Sequence, residues 1–141
     1  MAKQAWQTAE DEFEQHWKQF GKSAWVHRFA DAAELKGRTG AVGKVRPQPS
    51  DYLVVFNGST IFCEVKSTTN PTSFPFSLLR TTQSAAARMV RAAGGEYNVY
   101  VKALATNTWY VVPYRLIDMT KEMGKASLPW KLLEGCKVAL P

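Results

Sequence analysis

Residues 51–66 read DYLVVFNGSTIFCEVK. DYLVVF is rich in β-formers, Asn57-Gly58 is the strongest short hairpin signal, and TIFCEVK supplies a returning strand, so the stretch predicts a β-hairpin from Asp51 to Lys66. Side chains alternate along the returning strand, which sends Glu64 and Lys66 to one face and Cys63 and Val65 to the other. On a solvated face such a pair is worth little. Here the flanks Ile61, Phe62, Cys63 and Val65 are apolar, as in a central strand, where a charge is costly unless it has a partner or a metal. With Asp51 at the start of the neighbouring strand, two carboxylates converge beside one lysine.

That convergence has a chemical use. Two close carboxylates repel, and a divalent cation relieves the repulsion. Hard oxygen ligands with open water positions suit Mg²⁺, with Mn²⁺ a plausible substitute. The ion polarises a phosphodiester and acidifies a bound water, while a lysine on the same face offsets charge growing on the phosphate.

Outward from the hairpin, Thr8 to Phe20 is patterned as a helix with Trp6, Phe13, Trp17 and Phe20 on one face, Thr8 and Asp11 at its start, and Gly21 at its end. A second helix is expected over Ser23–Leu35, with Trp25, Phe29 and Ala32 on its apolar side. Glycines and prolines break residues 36–50, and 67–75 is a second irregular loop. QSAAARMVRAA (83–93) predicts a helix closed by Gly94-Gly95. Strands follow at 97–105 and 109–112, and residues 113–141 read as short pieces wrapping the core. The order predicts one α/β domain over residues 1–141, with a central mixed sheet flanked by helices.

Eighteen Lys and Arg against 12 Asp and Glu give a net charge of +6, which favours anionic partners, nucleic acid first. Cys63 and Cys136 lack metal-site spacing and a disulfide framework, and Cys63 reads as a small buried side chain. His16 and His27 are too scattered for a histidine site. No apolar stretch has transmembrane length and the N-terminus lacks a signal-peptide core, so the expectation is a reducing cytoplasm and no membrane.

The string Pro49-Ser50-Asp51, followed after a hairpin by Glu64-Val65-Lys66, resembles the PD-(D/E)XK nuclease superfamily. QPSDY, CEVKST, SFPF (73–76), Gln83, GGEYNVYVKAL, WYVVPYRL and KASLPWKLLEG resemble, in order, the RecU-type Holliday junction resolvases, with the archaeal (Hjc-like) resolvases a more distant match. The resemblance implies a restriction-endonuclease-like fold, Asp51 and Glu64 as metal ligands, Lys66 as catalytic lysine and Gln83 as the glutamine near the site. It implies a nick leaving a 5′-phosphate and a 3′-hydroxyl, and a homodimer making two symmetric cuts in a four-way junction. It also implies an acidic residue in the first helix, as both catalytic residue and metal ligand. Phe13-Glu14 fits the motif, whereas a helical wheel places Glu10 nearer the apolar stripe, and Glu12 is a further candidate; Glu14 is taken on the motif.

Arg28, Arg38, Lys44, Arg46, Arg80 and Arg88 are candidate contacts to branched DNA, and Arg91 shares a helix face with Arg88. A solvated surface accounts for any one of them equally well. Nothing resembles a base-reading element, so shape and backbone recognition is expected.

Overall fold

The computed structural model describes residues 2–30 and 47–140. Helix α1 (Ala5–Lys18) leads into strand β1 (Ala24–Arg28), then β2 (Tyr52–Phe56), β3 (Ser59–Thr68) and β4 (Ser73–Pro75). Helix α2 (Thr81–Ala92) precedes β5 (Glu96–Ala103) and β6 (Thr108–Pro113). Helix α3 (Tyr114–Glu122), β7 (Ser127–Pro129) and β8 (Lys137–Val138) complete the described chain. Six strands form one sheet in the order β1-β2-β3-β5-β6-β8, and β4 pairs with β7. Among the described residues only the β3–β5 pairing in the large sheet is parallel, so the chain is α/β with a mixed central sheet.

The β2–β3 hairpin forms as predicted. Asn57 (φ 52°) and Gly58 (φ 80°) both take left-handed backbone, which a tight two-residue turn requires and most side chains resist. The pairing sets Tyr52 opposite Cys63 and leaves Asp51 just before β2. β3 then runs parallel to β5 from Ile61↔Glu96 to Thr68↔Ala103, with β4 and α2 in the crossover.

Two expectations are corrected. The helix expected over Ser23–Leu35 is a strand where the structure describes its core: β1 pairs antiparallel with β2 from Ala24↔Phe56 to Arg28↔Tyr52. The spacing of Trp25 and Phe29 suits one helix turn, but it equally suits positions i and i+4 of a strand with His27 between them. Aromatic and β-branched residues and an available sheet edge decide for the strand. Ala32 and residues 31–35 lie outside the described residues. The first helix also starts earlier than Thr8. The Gln4 N–H donates to Gln7 Oε1 (2.9 Å), satisfying an end group one turn sooner than a Thr8 cap would. Trp6 therefore stands in the first turn, 54% exposed, and is not part of the core stripe of Ala9, Phe13 and Trp17.

α1 covers one sheet face, where Phe13 lies against Tyr52 and Tyr100, and Cys63, Val65 and Trp109 complete the cluster. Phe13 is fully buried, worth roughly 2–3 kcal/mol against exposure. The helix is pinned in rotation by Glu12, whose carboxylate accepts bonds from Lys102 Nζ (2.8 Å) and Trp109 Nε1 (3.1 Å). The opposite face carries Val99, Val101, Tyr110 and Val112, packed against α2, α3 and the β4–β7 segment. Among the described residues no helix is long and apolar enough to cross a membrane.

Candidate active site

The site lies where β1, β2 and β3 meet the first turns of α1 and α2. Ser50 Oγ donates to the Tyr52 carbonyl (2.8 Å), and the Asp51 carbonyl accepts from the Phe29 N–H (2.9 Å), which fixes the residue between them. The Asp51 carboxylate then accepts the Val65 N–H at 2.9 Å, so the acid entering β2 is hydrogen-bonded to the backbone between Glu64 and Lys66. The alternation read from sequence holds: Cys63 and Val65 sit in the cluster under α1, while Glu64 turns to the other face and meets Tyr97.

Glu64 has no solvent exposure, and among the described residues no N–H or O–H donor reaches its Oε1, while the Asp51 carboxyl lies beside it, an unusual position for a carboxyl. Lys66 Nζ stands 3.9 Å from that oxygen. Burial first, and then the adjacent Asp51, push the Glu64 carboxyl far above the usual range; Lys66 opposes the shift. Tyr97 is the second fixed point. Its hydroxyl lies 2.7 Å from the Pro49 carbonyl, to which it donates, and 3.3 Å from Glu64 Oε2.

A cleft of about 400 Å³ opens above this pair, walled by Trp6, Glu10, Arg28, Phe29, Asp51, Lys66, Arg80 and Gln83 among others. Glu10, not Glu14, lines it. Burial, Asp51 and Glu14 push the Glu10 carboxyl up to about 7 against the pull of Arg28, which lies 3.9 Å away. Glu14, one turn on, accepts the Tyr52 hydroxyl at 3.0 Å and faces adjoining hollows instead. Glu12 points the other way, into its pairing with Lys102. Gln83 closes the first turn of α2 by accepting the Arg80 N–H (2.9 Å) while its side chain borders the cleft.

The structure thus brings Asp51, Glu64, Lys66, Gln83, Arg28 and Arg80 to one place. Arg88 and Arg91 are elsewhere, both pairing with Asp118 at 3.5 and 2.6 Å. Arg38, Lys44 and Arg46 lie outside the described residues. Sequence reasoning missed Tyr97 and the cleft-lining roles of Trp6 and Phe29. Parallel pairing of β3 with β5 is what carries Tyr97 to Glu64, and no local pattern announces it.

A divalent cation fits part of this arrangement. The orphaned, buried Glu64 Oε1 beside a second carboxylate is a hard-oxygen donor pair that a cation would satisfy. Among the described residues no three His, Cys, Asp or Glu side chains come close enough to share an ion. The fit is therefore to a two-carboxylate site, with Glu10 nearby.

No family model matches the chain, and no curated protein matches it. Its structure is similar to the 1.6 Å structure of Hjc from Archaeoglobus fulgidus, a Holliday junction resolvase from an archaeal hyperthermophile. The two share 18% identity with a TM-score of 0.49, covering 78% of this chain and 76% of that one.

Proposed function

We propose that this protein is a metal-dependent endodeoxyribonuclease of the PD-(D/E)XK kind. Within that class, the reading that best joins site and sequence motifs is a structure-selective enzyme that resolves four-way DNA junctions. The observation that carries it is Glu64: a fully buried carboxyl with one orphaned oxygen, beside Asp51 and 3.9 Å from Lys66, beneath an open cleft. A structural core has no use for that trio, because a leucine would pack there at lower cost.

Asp51 and Glu64 would hold Mg²⁺, or Mn²⁺ in its place, and the ion when bound supplies Lewis acidity toward a phosphodiester and a more acidic attacking water. Lys66 sets a cation beside the phosphate, where negative charge grows as the bond breaks. Glu10, on the cleft wall, is the third carboxylate in this reading in preference to Glu14, and holds or accepts a proton from water there. Arg28 and Arg80, at the cleft, meet the flanking phosphates, so binding weakens with salt. Gln83 fixes the entry of α2 beside the site. A junction needs two symmetric cuts, which a two-fold homodimer supplies.

The test compares an end-labelled four-way junction with a linear duplex of matched sequence, each with Mg²⁺ and with EDTA. Mg²⁺-dependent paired nicks in the junction alone are expected. Equal cutting of the duplex would move the protein to another PD-(D/E)XK specificity. Failure to cut with either Mg²⁺ or Mn²⁺ would leave a DNA-binding module and contradict the nuclease reading.

A further inference from the structure

Among the described residues β1 is an edge strand, and its two faces differ in what they meet. Ala24 and Val26 pack toward α1. Trp25, His27 and Phe29 alternate with them and form a row of rings on the face that α1 leaves uncovered. The Trp25 and His27 rings are parallel within 8° at a centroid distance of 5.6 Å, and Phe29 follows at 5.1 Å, edge to face. Trp25 is 55% exposed, and Val55, its partner across the β1–β2 pairing, is exposed beside it. The row does not end in solvent. Phe29 is a wall of the candidate active-site cleft, facing the same space as Asp51 and Lys66, and the exposed Trp6 is another wall of that cleft.

We propose that this aromatic row binds unpaired nucleotides by stacking, guiding a strand displaced at a branch point into the cleft. The chemistry matches a single strand and not a duplex. A duplex conceals its base faces and offers mainly phosphates, whereas an unstacked strand offers a π-face and a phosphate at every nucleotide. The rings provide the first partner, and Arg28, Lys66 and Arg80 at the cleft provide cations for the second. A second copy of the chain is the less suited occupant. The row is one strand wide, whereas stable protein interfaces use about 20–30 residues a side. The continuity of the row with a cleft built for a phosphodiester also has no meaning for a subunit contact. The choice of nucleic acid as ligand rests on the nuclease reading, but the binding test needs no cleavage.

The measurement is fluorescence anisotropy in EDTA, with a fluorescein-labelled oligothymidine and a labelled duplex hairpin as probes. Trp25→Ala is expected to weaken oligothymidine binding about tenfold and duplex binding less than about twofold. Phe29→Ala should act in the same direction, and Trp25→Phe should retain most of the affinity. A wild type that does not bind oligothymidine, a Trp25→Ala affinity within about twofold of it, or an equal loss on both probes overturns the proposal. So does a fall in sedimentation mass caused by Trp25→Ala, which would make the row a contact between copies. A selective single-strand loss in a protein that never cuts junctions would leave the row standing and remove the nuclease reading.

Discussion

Glu64→Gln is expected to stabilise the metal-free protein, an unusual direction for a change at a fully buried residue. The carboxyl has no solvent exposure, and among the described residues no donor reaches one of its oxygens. Its folded pKa is raised from 4.5 by burial and by Asp51. The sign follows from proton binding. Above the unfolded value the native state retains a proton that the unfolded chain releases, so wild-type stability falls as pH rises from there through neutrality. Glutamine has nearly the same shape, does not titrate, and offers an N–H₂ toward Asp51. Each pH unit between the unfolded value and the assay costs the wild type up to about 1.4 kcal/mol, which side-chain relaxation and water entry reduce. At about pH 8 the variant should gain about 2 kcal/mol, a rise of roughly 6–8 °C in Tm for a domain of this size, with a much smaller gain near pH 5. Adding Mg²⁺ should reverse the order. At a hundredfold excess over Kd the wild type gains about 2.7 kcal/mol, and the variant gains little. Calorimetric melts at both pH values, with EDTA and with Mg²⁺, read all of this. A variant less stable than wild type at the higher pH in EDTA, or equally stabilised by Mg²⁺, would refute the assignment of Glu64 as a strained cation ligand.

Other expectations follow from the same geometry. Lys66→Ala should lower single-turnover cleavage of a junction by at least about a hundredfold, with junction affinity in EDTA changed by less than about threefold; comparable loss in both would mean that the lysine only binds. Glu10→Gln should reduce cleavage more than tenfold, whereas Glu14→Ala should cost about 1 kcal/mol of stability through loss of the Tyr52 hydroxyl bond and leave the rate within twofold. The opposite pattern in single-turnover rates and thermal melts would return the role to Glu14. Tyr97→Phe removes the hydroxyl joining the Pro49 carbonyl to Glu64, and should weaken Mn²⁺ binding in calorimetry about tenfold, beyond a loss of about 1 kcal/mol in stability; unchanged Mn²⁺ affinity would make the residue merely structural.

The hairpin was legible because its evidence is local. Asn57-Gly58 specifies the turn, and strict alternation then assigns Glu64 and Lys66 to one face. The helices at 83–93 and near the N-terminus were legible in kind for the same reason, though Gln4 and Gln7 moved the first boundary. β1 was not, because Trp25 and Phe29 satisfy helical and strand periods at once, and only the free edge of β2 chooses between them. The carboxylate on α1 shows the limit most clearly. Motif spacing points to Glu14, whereas Glu12 bonds Lys102 and Trp109, partners about ninety residues away in the chain, and the helix so held presents Glu10 to the cleft; spacing alone does not report which carboxylate lines it. Tyr97 likewise reaches Glu64 through parallel pairing across the α2 crossover, a contact made by topology and not by spacing.

In the function proposed, Asp51 and Glu64 hold the cation with which the protein cuts DNA. The most direct measurement is single-turnover cleavage of a labelled four-way junction by wild type and Asp51→Asn, with Mg²⁺ and with EDTA, alongside junction affinity by gel shift. Paired nicks from the wild type with Mg²⁺ alone are predicted, together with cleavage reduced at least about a thousandfold in Asp51→Asn and affinity nearly unchanged. Cleavage by Asp51→Asn at the wild-type rate, or by the wild type in EDTA, would rule out a cation held by Asp51 as the source of cutting.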